Sequence, residues 1–131
     1  MKILVIDDEA NARMLLSDIF EDLGWEMEEA EDCLEGLDKI KSLGPFDLVL
    51  VDWKTPRMTG LDFTKNVRSN PDFQSIPLIM VTGLNDMESV ADALEVGINE
   101  YLMKPFTPEM IFSKLRLVGL EVPGDDGNAM L

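Results

Sequence analysis

Short apolar runs alternate along this chain with stretches whose apolar residues recur at helical spacing. Ile3-Leu4-Val5-Ile6, Leu48-Val49-Leu50-Val51 and Pro77-Leu78-Ile79-Met80-Val81 are continuous runs. Continuous runs suit parallel strands covered on both faces, whereas a half-solvated strand alternates. Each run ends on polar residues: Asp7-Asp8, Asp52 and Thr82-Gly83. Two weaker strands are predicted at Glu26–Ala30 and Glu100–Met103. The first reads Glu-Met-Glu-Glu-Ala, and its acidity suits an edge strand.

Helices are predicted between the strands. Leu15, Leu16, Ile19, Phe20 and Leu23 make one apolar stripe, ended by Gly24; Leu34, Leu37 and Ile40 make a second, ended near Gly44-Pro45. A third helix spans about 60–68 and stops before Asn70-Pro71. Met87, Val90, Ala91 and Leu94 predict a fourth, with Asn85 and Glu88 as a cap pair and Gly97 as terminator. Thr107-Pro108 reads as a cap and first-turn proline, with Ile111, Leu115 and Val118 on the last helix. Strand and helix alternate five times, which predicts an α/β fold with one parallel sheet covered on both faces. The domain is expected to span residues 1–119. The tail, 120–131, carries Pro123-Gly124-Asp125-Asp126-Gly127 and is expected to be disordered.

Charge changes the picture by exclusion. The chain has 131 residues, with 26 Asp or Glu against 11 Lys or Arg, a formal charge of −15. Such a surface repels phosphate backbones and anionic lipid, so direct nucleic-acid binding through a basic patch is excluded as a working idea. The lone Cys33 allows neither an internal disulfide nor a zinc cluster, and the absence of His removes a Ser-His-Asp triad and phosphohistidine on this chain. Cys33 is read as an incidental residue of the second helix, and the methionines as core filler, with Met103 and Met110 bordering a binding face. No apolar run approaches the roughly 18 residues of a membrane span. The first residues are too short a run, and too soon acidic, for a signal peptide, so a cytoplasmic protein is expected.

The candidate chemistry lies at the strand ends. Asp7 and Asp8 follow the first strand, Asp52 ends the third, Thr82 the fourth, and Lys104 lies just past the fifth. Ligands of open parallel sheets bind at the carboxyl ends of the strands. Singly, each residue reads as a cap, a turn residue or a solvated charge; together they converge on one edge. Carboxylate, hydroxyl and ammonium in one pocket point to phosphoryl transfer onto an aspartate, with a hard divalent cation relieving the repulsion among three carboxylates.

The motifs that carry these residues are Val5-Ile6-Asp7-Asp8-Glu9, the run Asp52-Trp53-Lys54-Thr55-Pro56-Arg57-Met58-Thr59-Gly60, then Met80-Val81-Thr82-Gly83, and Tyr101-Leu102-Met103-Lys104-Pro105-Phe106. In order and spacing the chain resembles a receiver domain of the two-component response regulators, and most closely the stand-alone chemotaxis-type (CheY-like) regulators. The resemblance implies a flavodoxin-like (βα)5 three-layer sandwich with strand order 2-1-3-4-5. It implies that Asp52 is the phosphoacceptor, and that Asp7, Asp8, Asp52 and the Lys54 backbone carbonyl hold Mg²⁺, with Asp8 a more direct ligand than Asp7. Thr82 would move toward the phosphoryl group, Lys104 would contact it before a cis Pro105, and Tyr101 would turn inward as the switch aromatic. Trp53 would border the pocket.

The chain departs from the family pattern at Lys54, Thr55, Thr59 and Leu84. One reading is that Lys54 attracts anionic phosphodonors and Leu84 impedes an attacking water; the other is that both are tolerated residues of the pocket rim. The implied function is a single-domain response regulator that turns over no external substrate. A sensor histidine kinase or phosphotransfer protein would phosphorylate it, and it would act on an output protein, with flagellar motor control the specific guess. A monomer that dimerises on phosphorylation fits this reading. The alternative is a docking module that keeps the fold without phosphorylation. An FMN binder and an aspartate-nucleophile hydrolase fit less well: the pocket is acidic, and the chain has no cap domain. The remaining acids cluster. Ten lie between Arg13 and Lys39 with no base, and six more between Arg68 and Lys104. They read first as solvated helix faces; the sharper reading is that the second run makes the output face acidic and selects a basic partner.

Overall fold

All five predicted strands form, and they pair in parallel in the order β2-β1-β3-β4-β5. The computed structural model describes residues 1–122. The strands are β1 (Lys2–Ile6), β2 (Glu26–Ala30), β3 (Leu48–Asp52), β4 (Leu78–Thr82) and β5 (Glu100–Met103). The helices are α1 (Ala10–Asp22), α2 (Cys33–Leu43), α3 (Gly60–Ser69), α4 (Val90–Val96) and α5 (Pro108–Leu117), with 3-10 turns at Pro71–Phe73 and Leu84–Ser89. The acidic β2 lies at an edge, as its composition predicts. Of the tail expected at 120–131, Leu120 and Val122 pack against the α1 and α5 side of the core, so the domain runs past 119; residues 123–131 lie outside the described residues.

Alternation along the strands divides the core in two. Leu4, Ile6, Val49, Val51, Leu78 and Met80 pack with Ile40, Phe63, Val67 and Ala93, so α2, α3 and α4 cover one face. Ile3, Val5, Leu48, Leu50, Ile79 and Val81 pack with Leu16, Phe20, Ile111 and Leu115, so α1 and α5 cover the other. Thr59 caps α3 by accepting from Asp62 N–H at 3.1 Å, and Thr107 caps α5 by accepting from Met110 N–H at 3.2 Å, with Pro108 in the first turn.

Three helical stripes differ from expectation. On α1, Leu15 is 44% exposed; at 3.6 residues per turn it sits about 90° from the centre of the Leu16, Ile19, Phe20 and Leu23 face. On α2, Leu34 is exposed while Cys33, Gly36 and Ile40 are buried, so Cys33 is a core residue and not an incidental one. The largest difference is at α4. Residues 84–89 form a 3-10 turn, no side chain caps α4, and its buried residue is Ala93. Asn85 and Glu88 therefore do not act as a cap pair, and Ala91 and Leu94 face solvent. Gly97 does terminate α4, with φ 120°.

The pole opposite the strand ends is tied by Arg68. Its guanidinium donates to Gly97 O at 3.0 Å, to Phe73 O and Gln74 O at 3.1 Å each, and to Asn99 Oδ1 at 2.9 Å. That same Oδ1 accepts from Leu78 N–H at 2.8 Å, which brings the start of β4 into the network. Arg68→Ala is expected to lower stability by about 2–3 kcal/mol, because several charge-assisted hydrogen bonds are lost at a half-buried site. Urea denaturation measures this. A change near zero would show that water replaces the guanidinium at no cost.

Candidate functional site

Strand register sets the geometry of the site. Ile6 pairs with Val51, so Asp7 follows β1 level with Asp52. Asp52 pairs with Val81 and Thr82 with Met103, which puts Thr82 and then Lys104 one step further along. Two backbone bonds extend the ladder past the strands: Trp53 N–H to Val81 O at 3.0 Å, and Lys104 N–H to Thr82 O at 2.7 Å. Alternation assigns faces. Asp7 and Asp52 share parity with Val5 and Leu50, on the α1 and α5 side. Thr82 shares parity with Met80, on the side where Tyr101 packs.

Ligand oxygens of Asp7, Asp8 and Asp52 lie within 4.8 Å of one another. Asp7 and Asp52 are buried, and Asp8 is exposed. Lys104 Nζ sits among acids, 2.9 Å from Asp7 Oδ2, 3.2 Å from Glu9 Oε1 and 3.6 Å from Asp52 Oδ2. Asp7 Oδ1 also accepts from Glu9 N–H at 2.9 Å, and the Asp7 carbonyl accepts from Arg13 at 2.6 Å. Asp7 is thus held by the protein, while Asp8 faces outward.

The charges respond to this crowding. Burial pushes the Asp52 carboxyl up to about 6; Lys104 and the Lys54 N–H oppose the shift, and Asp7 and Asp8 add to it. For Lys104, burial disfavours the ammonium. The hydrogen bond to Asp7 and the charges of Asp52 and Asp7 outweigh that, and its pKa stands above the ordinary value. The donor set is three carboxylates with no nitrogen or sulfur ligand, which suits a hard cation such as Mg²⁺.

Two loops frame Asp52. In the β3–α3 loop, Lys54 N–H donates to Asp52 Oδ1 at 3.3 Å, and Trp53 is buried against Gly60, where a Cβ would meet the indole Cε3 at 2.4 Å. The Thr55 hydroxyl lies 3.0 Å from Met58 O and 3.3 Å from Cys33 Sγ. Burial pushes the Cys33 thiol up to about 11, which suits a packed and unreactive thiol. Arg57 donates through Nε and a terminal nitrogen to Asp32 Oδ2, whose other oxygen caps α2 by accepting from Glu35 N–H. That backbone bond, ahead of Arg57, holds the Asp32 carboxyl below its ordinary value against the effect of burial.

In the loop after β4, Asp86 of the 3-10 turn pairs with Lys54 Nζ at 2.5 Å. The Thr82 hydroxyl lies 3.3 Å from Gly83 O, and Tyr101 lies under Lys114 Nζ, 4.2 Å from the ring centroid. Lys104-Pro105 is cis, as the resemblance implies, and Gly44-Pro45 is cis as well. The side chain of Leu84 lies outside the described residues.

Sequence reasoning therefore named Asp7, Asp8, Asp52, Lys54, Thr82, Lys104 and Tyr101, and the first three and Lys104 come together at one sheet edge. It missed three partners: Glu9 on Lys104, Asp86 on Lys54 and Asp32 on Arg57. Glu9 and Arg57 lay inside the quoted motifs. Asp32 and Asp86 carried no local signal, because both pairings cross between loops.

Comparison with known proteins agrees with this geometry. The sequence profile of the response regulator receiver domain matches residues 3–116. Chemotaxis protein CheY1 of Helicobacter pylori is 39% identical over 119 residues, covering 90% of this chain and 96% of that protein. Chemotaxis protein CheY-3 of Vibrio cholerae is 37% identical over 116 residues, 88% of each chain. The crystallised chemotaxis response regulator CheY4 of Vibrio cholerae superposes with a TM-score of 0.83 at 34% identity, covering 89% of this chain and 97% of that one. Sheet order, strand-end carboxylates and sequence agree, and the chain belongs to the family of response regulator receiver domains.

Proposed function

We propose that Asp52 accepts a phosphoryl group from a phosphohistidine of a partner sensor kinase or phosphotransfer protein, and that the product state changes affinity for an output protein. The supporting observation is the half-enclosed Asp52 carboxylate, 3.6 Å from Lys104 Nζ and within 4.8 Å of the Asp7 and Asp8 oxygens. In the transfer, an Asp52 oxygen forms a bond to phosphorus as the bond from phosphorus to the donor imidazole nitrogen breaks. The carboxylate must be ionised to attack, and with a pKa of about 6 it is mostly so at neutral pH.

Asp7, Asp8, Asp52 and the Lys54 carbonyl would hold Mg²⁺, which when bound offsets the charge of the carboxylates and of the phosphoryl oxygens. Lys104 already has its ammonium between Asp7 and Asp52, so it meets an incoming phosphoryl oxygen with little movement. The Thr82 hydroxyl has only a long contact to its neighbour's carbonyl, which a phosphoryl oxygen would displace. Its face of the sheet also carries Tyr101, so a shift of Thr82 reaches α4 and β5.

The output contact is assigned to that side. Glu88, Asp92 and Glu95 are exposed there with Ala91 and Leu94, which favours a basic partner with an apolar anchor. Chemotaxis control through the flagellar motor is the specific reading, supported by the similarity to chemotaxis proteins. The protein acts in the cytoplasm as a monomer and turns over no external substrate. Among the described residues, no helix is long and apolar enough to cross a membrane.

Acetyl phosphate with Mg²⁺ is expected to retard the wild-type band on a phosphate-affinity gel, and Asp52→Asn to abolish the retardation. A wild-type protein that never shifts, or a shift that survives the substitution, would favour phosphorylation-independent docking.

The raised Asp52 pKa also makes a stability prediction. The folded protein binds this proton more tightly than the unfolded chain, whose Asp titrates near 3.8. The ionised carboxylate is therefore a cost above pH about 6 that fades between about 6 and 4 and is absent below. Asp52→Asn should raise stability by about 1–3 kcal/mol at pH 7.5 without metal, and the difference should vanish near pH 4. Urea melts of both proteins across this range measure it, and a gain independent of pH would refute the electrostatic origin.

A further inference from the structure

The Lys54–Asp86 pair spans the two loops that carry the acceptor and the switch threonine. Lys54 is two residues past Asp52, and its N–H touches the Asp52 carboxylate at 3.3 Å. Its side chain nevertheless points to Asp86, with Nζ 2.5 Å from Oδ1. The two partners differ in mobility. Asp86 is fixed in the first turn of the 3-10 segment, where its N–H donates to Gly83 O at 3.1 Å, and its side chain is 16% exposed. The Lys54 side chain is 71% exposed. The Asp86 hydrogen bond, its charge and that of Glu88 all hold the Lys54 ammonium in its protonated form.

We propose that Asp86 is a positioning residue for phosphoryl transfer: it withholds the Lys54 ammonium from the acceptor pocket in the resting protein and releases it to an anionic phosphodonor. This rests on the reading of Asp52 as phosphoacceptor. Exposed ion pairs hold weakly and are screened by salt. A phosphodonor carries more negative charge than one carboxylate, so it competes for the ammonium on favourable terms. Lys54 is tethered within a side-chain length of Asp52 by its own backbone, so only side-chain torsions separate the two arrangements. On this account Lys54 acts as a cation of adjustable availability, and Asp86 sets how much of its charge the donor meets. When Lys54 changes partner, the turn after Thr82 also loses its tie to the β3–α3 loop.

The test is a double-mutant cycle on the rate of phosphorylation by acetyl phosphate with Mg²⁺, read on a phosphate-affinity gel. Asp86→Asn keeps shape and removes charge, and Lys54→Met keeps length and removes the ammonium. At about 0.05 M salt, Asp86→Asn is expected to phosphorylate about three- to tenfold faster than wild type, and the gain should shrink toward unity at about 0.5 M. In the Lys54→Met background, Asp86→Asn should change the rate less than twofold. A purely structural role of Asp86 would not give a gain that depends on both salt and Lys54.

Equal rates for Asp86→Asn and wild type would overturn the proposal while leaving Asp52 as acceptor. So would an equal gain with and without Lys54, which would mean that Asp86 acts by its own long-range charge. Absence of phosphorylation in wild type and all variants would instead remove the reading of Asp52, and this proposal with it. Thermal melts of the four proteins guard against a folding artefact, and Asp86→Ser repeats the charge removal with a different side chain.

Discussion

The position of the Lys104 ammonium is the constraint on which the site depends. Parallel register and alternation force Asp7 and Asp52 onto one face at one level, with Asp8 beside them. Nothing in sheet formation tolerates three carboxylates there without a counter-charge. Lys104 supplies it at 2.9 Å from Asp7 and 3.6 Å from Asp52. Its backbone is fixed by the bond to Thr82 O and by the cis Pro105 that follows. Burial, with the charges of Asp7 and Asp8, still holds the Asp52 carboxyl above its ordinary value despite Lys104. The pocket therefore has an unmet demand for positive charge, which a divalent cation would fill.

The loop that follows Asp52 is tied at several points. Arg57 has φ 73°, a left-handed conformation that costs a residue other than glycine of order 1–3 kcal/mol. It persists because its guanidinium is held on Asp32, and because the Thr55 hydroxyl bridges Met58 O and Cys33 on the same side. Trp53 fills the space over Gly60 beneath the loop. The β3–α3 loop is thus tied to the start of α2 and to the core. A rigid loop keeps the Asp52 carboxylate and its neighbouring amide in one arrangement, as preorganised chemistry requires.

Much of this was legible in the sequence, for identifiable reasons. The apolar runs are long and uninterrupted, so strand positions and polar strand ends followed directly, and the edge strand was marked by its acids. The helix faces were less legible. Leu15 and Leu34 fit an apolar stripe by spacing yet lie outside the buried face, because a helix stripe is wider than the contact it makes. The α4 region failed for a different reason. Its apolar residues support two phases, and tertiary packing chose Ala93 while a 3-10 turn replaced the expected capped start. The cross-loop pairs Arg57–Asp32 and Lys54–Asp86 were invisible because no local pattern links residues 25 and 32 positions apart that meet only after the sheet forms.

The failure at α4 is itself informative about how a signal could leave the site. Among the described helices, α4 is the shortest, with seven residues, no side-chain cap and a single fully buried residue. Its preceding turn is 3-10, whose hydrogen bonds are poorer than those of an α-helix. Elements that move during switching are drawn from the weakly anchored part of a fold. This segment begins directly after Thr82, is tied sideways by the exposed Lys54–Asp86 pair, and ends at Gly97 against the Arg68 network. Its Gly97 end is held by Arg68 through Gly97 O and Asn99 Oδ1, and its start is tied sideways only by the ion pair of Asp86 with an exposed lysine. On the proposal that Asp52 is phosphorylated, the added charge would act on the start of this segment, beside Thr82. Gly97, held by Arg68, would then be the pivot, and a small rearrangement at Thr82 would displace the acidic, partly apolar outer face of α4.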